Sequence, residues 1–143
     1  MRAKEYLLGL RLLDLKIKQK QKEADEIRAA SVSIGSNDYS KDKIQGNSTE
    51  AGFVRLVEKL QVLETEIKQE LCQFMEKKHQ IINEIQQIDN SVYMEILYKK
   101  YVLFMDLWEI SQDMNYNYGY VRRMHGYALQ VFEKRVLQQS NKK

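Results

Sequence analysis

The sequence predicts an all-α protein, in which a long N-terminal helical hairpin of coiled-coil type precedes a small C-terminal helical bundle. The 143 residues include no proline, and Leu, Ile, Lys, Glu and Gln dominate the long stretches. That composition favours helices over sheets. Apolar residues also recur at alternating intervals of three and four along two long segments, which is the heptad pattern of paired helices. At this length we expect one or two small units with a modest core.

The first long helix is predicted over residues 3–30. Its apolar seam follows the heptad pattern with one polar interruption, at Lys20. The stretch "KIKQKQKE" has few apolar residues, which is typical of the solvated part of a long arm. The predicted seam consists of Tyr6, Leu10, Leu13, Ile17, Lys20, Ala24 and Ile27.

A polar connection and a second long helix complete a first predicted domain, residues 1–90. Residues 31–50 are crowded with Gly, Ser, Asn and Asp, so we expect a flexible loop there. The second helix is predicted over 51–89, with Thr49 as a candidate N-cap. The two seams can pair as an antiparallel hairpin or with a second chain, and the length of the loop does not decide between these. The second predicted seam consists of Phe53, Val57, Leu60, Glu64, Ile67, Leu71, Phe74, Lys78, Ile81, Ile85 and Ile88.

Residues 91–143 form the second predicted domain, a bundle of three helices. A compact apolar helix is predicted over 92–104, with Tyr98 and Tyr101 among its packing residues. Asp106 is a candidate N-cap for the short helix that follows. The apolar residues of that short helix that share one face are Leu107, Ile110 and Met114.

A tight turn and a third helix complete the bundle. Asn115 tolerates the left-handed conformation that such a turn requires. Asn117 can cap the third helix, which is predicted over about 117–134. Its predicted buried side consists of Val121, Met124, Ala128, Leu129 and Phe132, whereas His125 is expected at the surface.

The other side of the third helix carries the candidate site. A short helix, a tight turn and a second helix with long donors on its outer face form a helix-turn-helix, whose second helix lies in the DNA major groove. Arginine bonds guanine edges or phosphates, and tyrosine hydroxyls donate to phosphates. A glycine leaves a gap for close approach to the groove floor. The predicted DNA-binding residues are Asn117, Tyr118, Gly119, Tyr120, Arg122 and Arg123.

The segment "DLWEISQDMNYNYGYVRRMHGYALQVFEK" resembles region 4 of sigma-70-type transcription factors. In that family leucine, acidic residues, isoleucine and a small residue precede a turn, and V-R-x-I-x-x-x-A-L follows it. Tyr118 and Gly119 stand where these factors usually carry arginine and glutamate, so we do not expect the usual promoter contacts. The matching positions are Leu107, Glu109, Ile110, Ser111, Met114, Asn115, Asn117, Val121, Arg122, Met124, Ala128 and Leu129.

Over nearly its whole length the chain also resembles small sigma-like proteins of Gram-positive phages and integrative elements. That resemblance implies a DNA-binding regulator of transcription with double-stranded DNA as its partner. We expect the helical arm to serve either for dimerisation or for contact with RNA polymerase. The alternative is a structural or adaptor protein of phage packaging or assembly, because small terminase subunits combine similar parts. No counterpart of the promoter-melting region is expected, so a regulator is favoured over a complete sigma factor.

The distribution of charge favours a polyanionic partner for the C-terminal region. Residues 1–90 contain 15 basic and 15 acidic residues, whereas residues 91–143 contain eight basic and five acidic ones. From residue 117 onward there are six basic residues and one acidic residue. A basic surface of this kind attracts nucleic acid.

Other classes of function lack their motifs. The sequence has no glycine-rich phosphate loop, nucleophile elbow or paired-histidine motif, so we expect no catalysis, small-molecule substrate or cofactor. Cys72 is the single cysteine and His79 has no partner at useful spacing, so no metal site is expected. Charges interrupt the N-terminal apolar pattern and no apolar run reaches 18 residues, so we expect no signal peptide or membrane span and a cytoplasmic location.

Overall fold

The structure, a computed structural model, describes residues 2–37 and 46–140, and within these ranges the chain is helical without a strand. The prediction of an all-α fold is confirmed. None of the helices in these ranges has the length and apolar character needed to cross a membrane. The five principal helices are α1 Ala3–Asn37, α2 Gly46–Ile85, α3 Ser91–Tyr101, α4 Leu107–Met114 and α5 Tyr118–Phe132. A π-helical turn, Glu133–Leu137, and a last helical turn, Gln138–Ser140, continue α5.

Both long helices extend into the segment for which the sequence predicts a flexible loop, 31–50. Helix α1 continues to Asn37 and α2 begins at Gly46, so Thr49 lies inside α2 instead of capping it. The part of the expected loop at 38–45 lies outside the described residues. Serine, asparagine and glycine lower helix propensity by at most about 1 kcal/mol each. Extending an existing helix through such residues is easier than nucleating a new one, because nucleation is the costly step.

The chain forms two compact units, and the division falls within both long helices instead of near residue 90. We call Leu15–Gln73 the arm unit. Met1–Asp14 together with Phe74–Lys143 form the bundle unit. The start of α1 and the end of α2 belong to the bundle unit because their apolar residues pack against α3 and α5.

In the arm unit the two long helices pair within one chain as an antiparallel hairpin. Lys20 on α1 bonds Glu70 on α2 at 2.5 Å, and Arg28, further along α1, bonds Glu64 at 2.8 Å. Lys20 and Glu64 are polar members of the predicted seams, and each is matched by an opposite charge across the pair. The apolar cluster between them consists of Ala24, Leu63 and Ile67.

The seam predicted for α2 is only partly buried in the arm unit. Phe53 and Leu71 are 38% and 39% exposed, whereas Leu63, which the predicted seam omits, is 7% exposed. A straight helix has 3.6 residues per turn, so a strict heptad drifts by about 20° per repeat relative to it. Such drift moves some seam positions out of the contact and brings a neighbouring leucine in.

The bundle unit has two apolar clusters, and α5 contributes to both. The smaller cluster joins α3, α4 and α5 through Ile96, Ile110 and Val121, each of them fully buried. Burying a large apolar side chain stabilises a fold by about 1.5–3 kcal/mol. The larger cluster consists of Ala3, Leu7, Leu10, Ile81, Ile85, Ile88, Leu97, Tyr101, Val102, Ala128, Phe132 and Val136.

Candidate nucleic-acid interface

Three side chains define the geometry of α4, the turn and α5, as the sequence predicts. Asp106 Oδ1 accepts a hydrogen bond from the backbone N–H of Glu109 at 2.8 Å and caps α4. This bond lowers the pKa of Asp106. Asn115 ends α4 in the left-handed region, at φ 58° and ψ 40°. Asn117 Oδ1 then accepts from the N–H of Gly119 at 2.8 Å and caps α5. The two helices are therefore joined by a three-residue turn, the length found in helix-turn-helix motifs.

The buried side of α5 includes a histidine that the sequence analysis expected at the surface, so that expectation is wrong. His125 is 9% exposed, and its Nε2 lies 2.8 Å from the hydroxyl oxygen of Tyr101 on α3. Burial, followed by the positive charges of Lys100 and Lys4, lowers the pKa of His125 to about 4. The imidazole is therefore neutral at pH 7 and acts as a polar packing residue. Its spacing from Val121 was a signal for this burial, because residues i and i+4 share a helix face.

Arg122 and Arg123 lie exposed in the second turn of α5. Among the residues that the structure describes, neither has a carboxylate within ion-pair distance. The guanidinium carbon of Arg122 lies 5.7 Å from the centroid of the Tyr118 ring, a distance at which a cation is attracted to the ring face. The ring of Trp108 meets Tyr118 edge-on at 5.8 Å. An exposed group of one cation and two aromatic rings therefore flanks the turn.

The remaining predicted site residues have local structural roles. A Cβ on residue 119 would lie 3.1 Å from Asn117 Oδ1, so a glycine there leaves room for the cap. Asn117 itself is occupied by that capping bond. Tyr120 is half-buried and packs edge-on against Tyr116 at 5.1 Å. These residues shape the start of α5, and the two arginines carry its positive charge.

Two other cations of the bundle unit, Lys99 and Arg135, are paired with carboxylates. Lys99 forms an ion pair with Asp113. Arg135 bonds Asp89 at 2.9 Å and also donates to the carbonyl of Gln87 at 3.2 Å. Within the described part of the chain, the cations of α5 and of the π-helical turn after it that have no ion-pair partner are Arg122, Arg123 and Lys134.

The outer face of α5 includes exposed residues beyond the predicted DNA-binding residues. Tyr127, Gln130 and Lys134 follow Arg123 at intervals of four, three and four, and all are exposed. Tyr127 is 48% exposed. Residues at this spacing share one face of a helix. Their exposure could have been predicted from the buried residues, because residues on the side of the helix opposite to a buried stripe face solvent. The buried stripe consists of Val121, His125, Ala128 and Phe132.

No cluster of three His, Cys, Asp or Glu side chains that could hold a metal ion occurs among residues 2–37 and 46–140. No protein-family model matches the chain, and no curated protein and no solved structure is significantly similar to it. The features of the molecule that bear on its function are therefore the geometry and charge of α4 and α5.

Proposed function

We propose that this chain is a DNA-binding regulator of transcription, with α5 lying in the major groove of double-stranded DNA. The observation that supports this most directly is the pair Arg122 and Arg123. Both are exposed and without an ion-pair partner in the described residues, on a helix whose inner face is anchored through Val121 to α3 and α4. Lys99, by contrast, is paired with Asp113.

The dimensions of the motif suit this role. An α-helix with its side chains is about 10–12 Å across, and the major groove is about 12 Å wide. Trp108 is 58% exposed beside Tyr118, and its indole N–H can donate to a phosphate oxygen. Phosphate contacts from this flank would orient α5 along the groove.

The arm unit is the proposed site for a second copy of the chain or for RNA polymerase. Val54 and Val62 are 51% and 59% exposed on α2, and a partner on this face would cover them. The proposal includes neither catalysis nor a small-molecule substrate, and it places the protein in the cytoplasm with the DNA.

The test measures fluorescence anisotropy of the full chain on pooled duplex DNA between 50 and 300 mM salt. We expect binding that weakens steeply with salt, because each phosphate contact releases counterions. The double variant Arg122→Ala/Arg123→Ala should bind more weakly, and its salt slope should be smaller by about one for each of these arginines that contacts a phosphate. Arg55→Ala/Lys68→Ala is the matched control, since it removes two exposed cations from the arm unit.

A folded wild-type protein that does not bind duplex DNA at 50 mM salt would contradict the proposal. Equal losses of DNA affinity in the two double variants would also contradict the proposal, because binding would then depend on net charge alone. Circular dichroism of each variant establishes that it is folded. Failure of DNA binding would favour the alternative function, a structural or adaptor protein of phage packaging or assembly. In that case the exposed rings and arginines would contact a protein.

A further inference from the structure

Arg122 and Arg123 are neighbours in sequence but occupy different positions around α5. Successive residues of an α-helix are separated by about 100°. The centre of the buried stripe at this level lies between Val121 and His125. Arg123 is therefore about 180° from the buried stripe, and Arg122 is about 80° from it. Arg123 projects directly outward, whereas Arg122 projects along the flank of the helix.

The groups in contact with the two side chains also differ. The guanidinium of Arg122 lies over the Tyr118 ring, which restricts it to the flank that also carries Trp108. Arg123 has no aromatic or carboxylate partner among the described residues. On one side its neighbours at i−4 and i+3 are Gly119 and Gly126, which have no side chains, whereas Tyr120 and Tyr127 at i−3 and i+4 lie on its other side.

We propose that Arg123 determines sequence specificity by bonding the edge of a guanine, while Arg122 bonds a phosphate. When a helix lies in the major groove, its outermost side chain faces the base edges and its lateral side chains face the backbone. The guanidinium fork matches the O6 and N7 acceptors of guanine. Arg122, which the Tyr118 ring holds at the side of the helix, is placed to bond a phosphate oxygen. A phosphate contact carries no sequence information. This inference rests on the proposed function and assigns separate roles to two residues of the same site.

The experiment first selects preferred duplexes from a randomised pool with the wild-type full chain. Affinities for the preferred duplex and each of its single-base variants are then measured for Arg122→Ala, Arg123→Ala and Arg123→Lys. Arg123→Ala should lose discrimination at one G·C pair by about 10-fold or more and retain it elsewhere. Arg123→Lys keeps the charge but lacks the fork, so it should lose the same discrimination.

Arg122→Ala should weaken binding to all duplexes by a similar factor, with a salt slope smaller by about one and unchanged discrimination. The inference is overturned if Arg123→Ala keeps the wild-type sequence preference, if Arg122→Ala is the variant that relaxes it, or if the wild-type protein has no preference. In each of those cases duplex binding, and with it the proposed function, still stands. Absence of duplex binding by the wild type would overturn both.

Discussion

Replacing Gly126 by leucine separates the stability of the fold from DNA binding. Gly126 lies inside α5, and a Cβ built on it meets no atom within 4 Å. Glycine in a helix interior is less favourable than alanine by about 0.8–1 kcal/mol, and leucine is close to alanine. Because a Cβ at this position meets open space, Gly126→Leu should raise the free energy of unfolding by roughly 0.5–1 kcal/mol.

The same leucine should weaken DNA binding, because residue 126 lies three residues after Arg123 on the outer face. Its side chain would fill the space into which a base edge must come for the arginine fork to bond it. We expect affinity for the preferred duplex to fall at least about 10-fold, which is about 1.4 kcal/mol. A loss of binding in a more stable protein cannot be attributed to unfolding.

Urea denaturation followed by circular dichroism gives the change in stability, and fluorescence anisotropy gives the change in affinity. Gly52→Leu is the matched control, because a Cβ on that residue of α2 also meets nothing within 4 Å. It should raise stability by a similar amount and leave DNA binding unchanged. Wild-type affinity in Gly126→Leu would refute the orientation proposed for α5. Lower stability of Gly126→Leu would refute the reasoning from open space around residue 126.

Two further predictions concern the elements that position α5. The pKa of His125 is about 4 in the folded protein and about 6.5 in an unfolded chain, so the unfolded state takes up the proton first as pH falls. The free energy of unfolding should therefore fall by about 2 kcal/mol between pH 8 and pH 5 from this group alone. Denaturant titrations should show that this decrease is absent in His125→Gln and retained in His79→Gln. If the free energy of unfolding of His125→Gln fell with pH as steeply as that of the wild type, the prediction would be wrong. Asn115→Val should lower the free energy of unfolding by about 1–2 kcal/mol, because a β-branched residue is strained in the left-handed region that Asn115 occupies. Asn115→Gly should not lower the free energy of unfolding, because glycine adopts the left-handed conformation without strain. Equal losses of stability in the two variants would show that the asparagine side chain matters for another reason.

The local structure around the turn could be predicted from the sequence because its determinants are local. Asp106 and Asn117 bond backbone N–H groups two or three residues away, and Asn115 adopts a backbone conformation that its own side chain tolerates. Contacts over such short separations depend on residue type and spacing, both of which are visible in the sequence. The all-α fold follows for the same reason, since heptad spacing is a local pattern.

Features that depend on distant residues could not be predicted. The start of α1 packs against residues more than 80 positions away, and Tyr6 donates to Glu84 Oε1 at 2.6 Å. Phe104 adopts a positive φ of 61°, which no local signal indicates for a bulky aromatic residue. The guanidinium of Arg11 lies 4.7 Å from the centroid of its ring, and Phe104 also packs against the larger apolar cluster. Tertiary packing of this kind overrides the backbone preference of a single residue.

The buried face of α5 is narrower in the structure than the sequence predicts, and His125 belongs to it. With His125 counted as a surface residue, the buried side of α5 was defined by Met124 and Leu129, both of them only half-buried, together with the true core positions. That broad apolar face leaves Arg122 and Arg123 on one common polar side. Once His125 joins Val121 in the buried stripe, the face narrows and its centre is defined. Arg123 then lies opposite that centre, and Arg122 lies beside it.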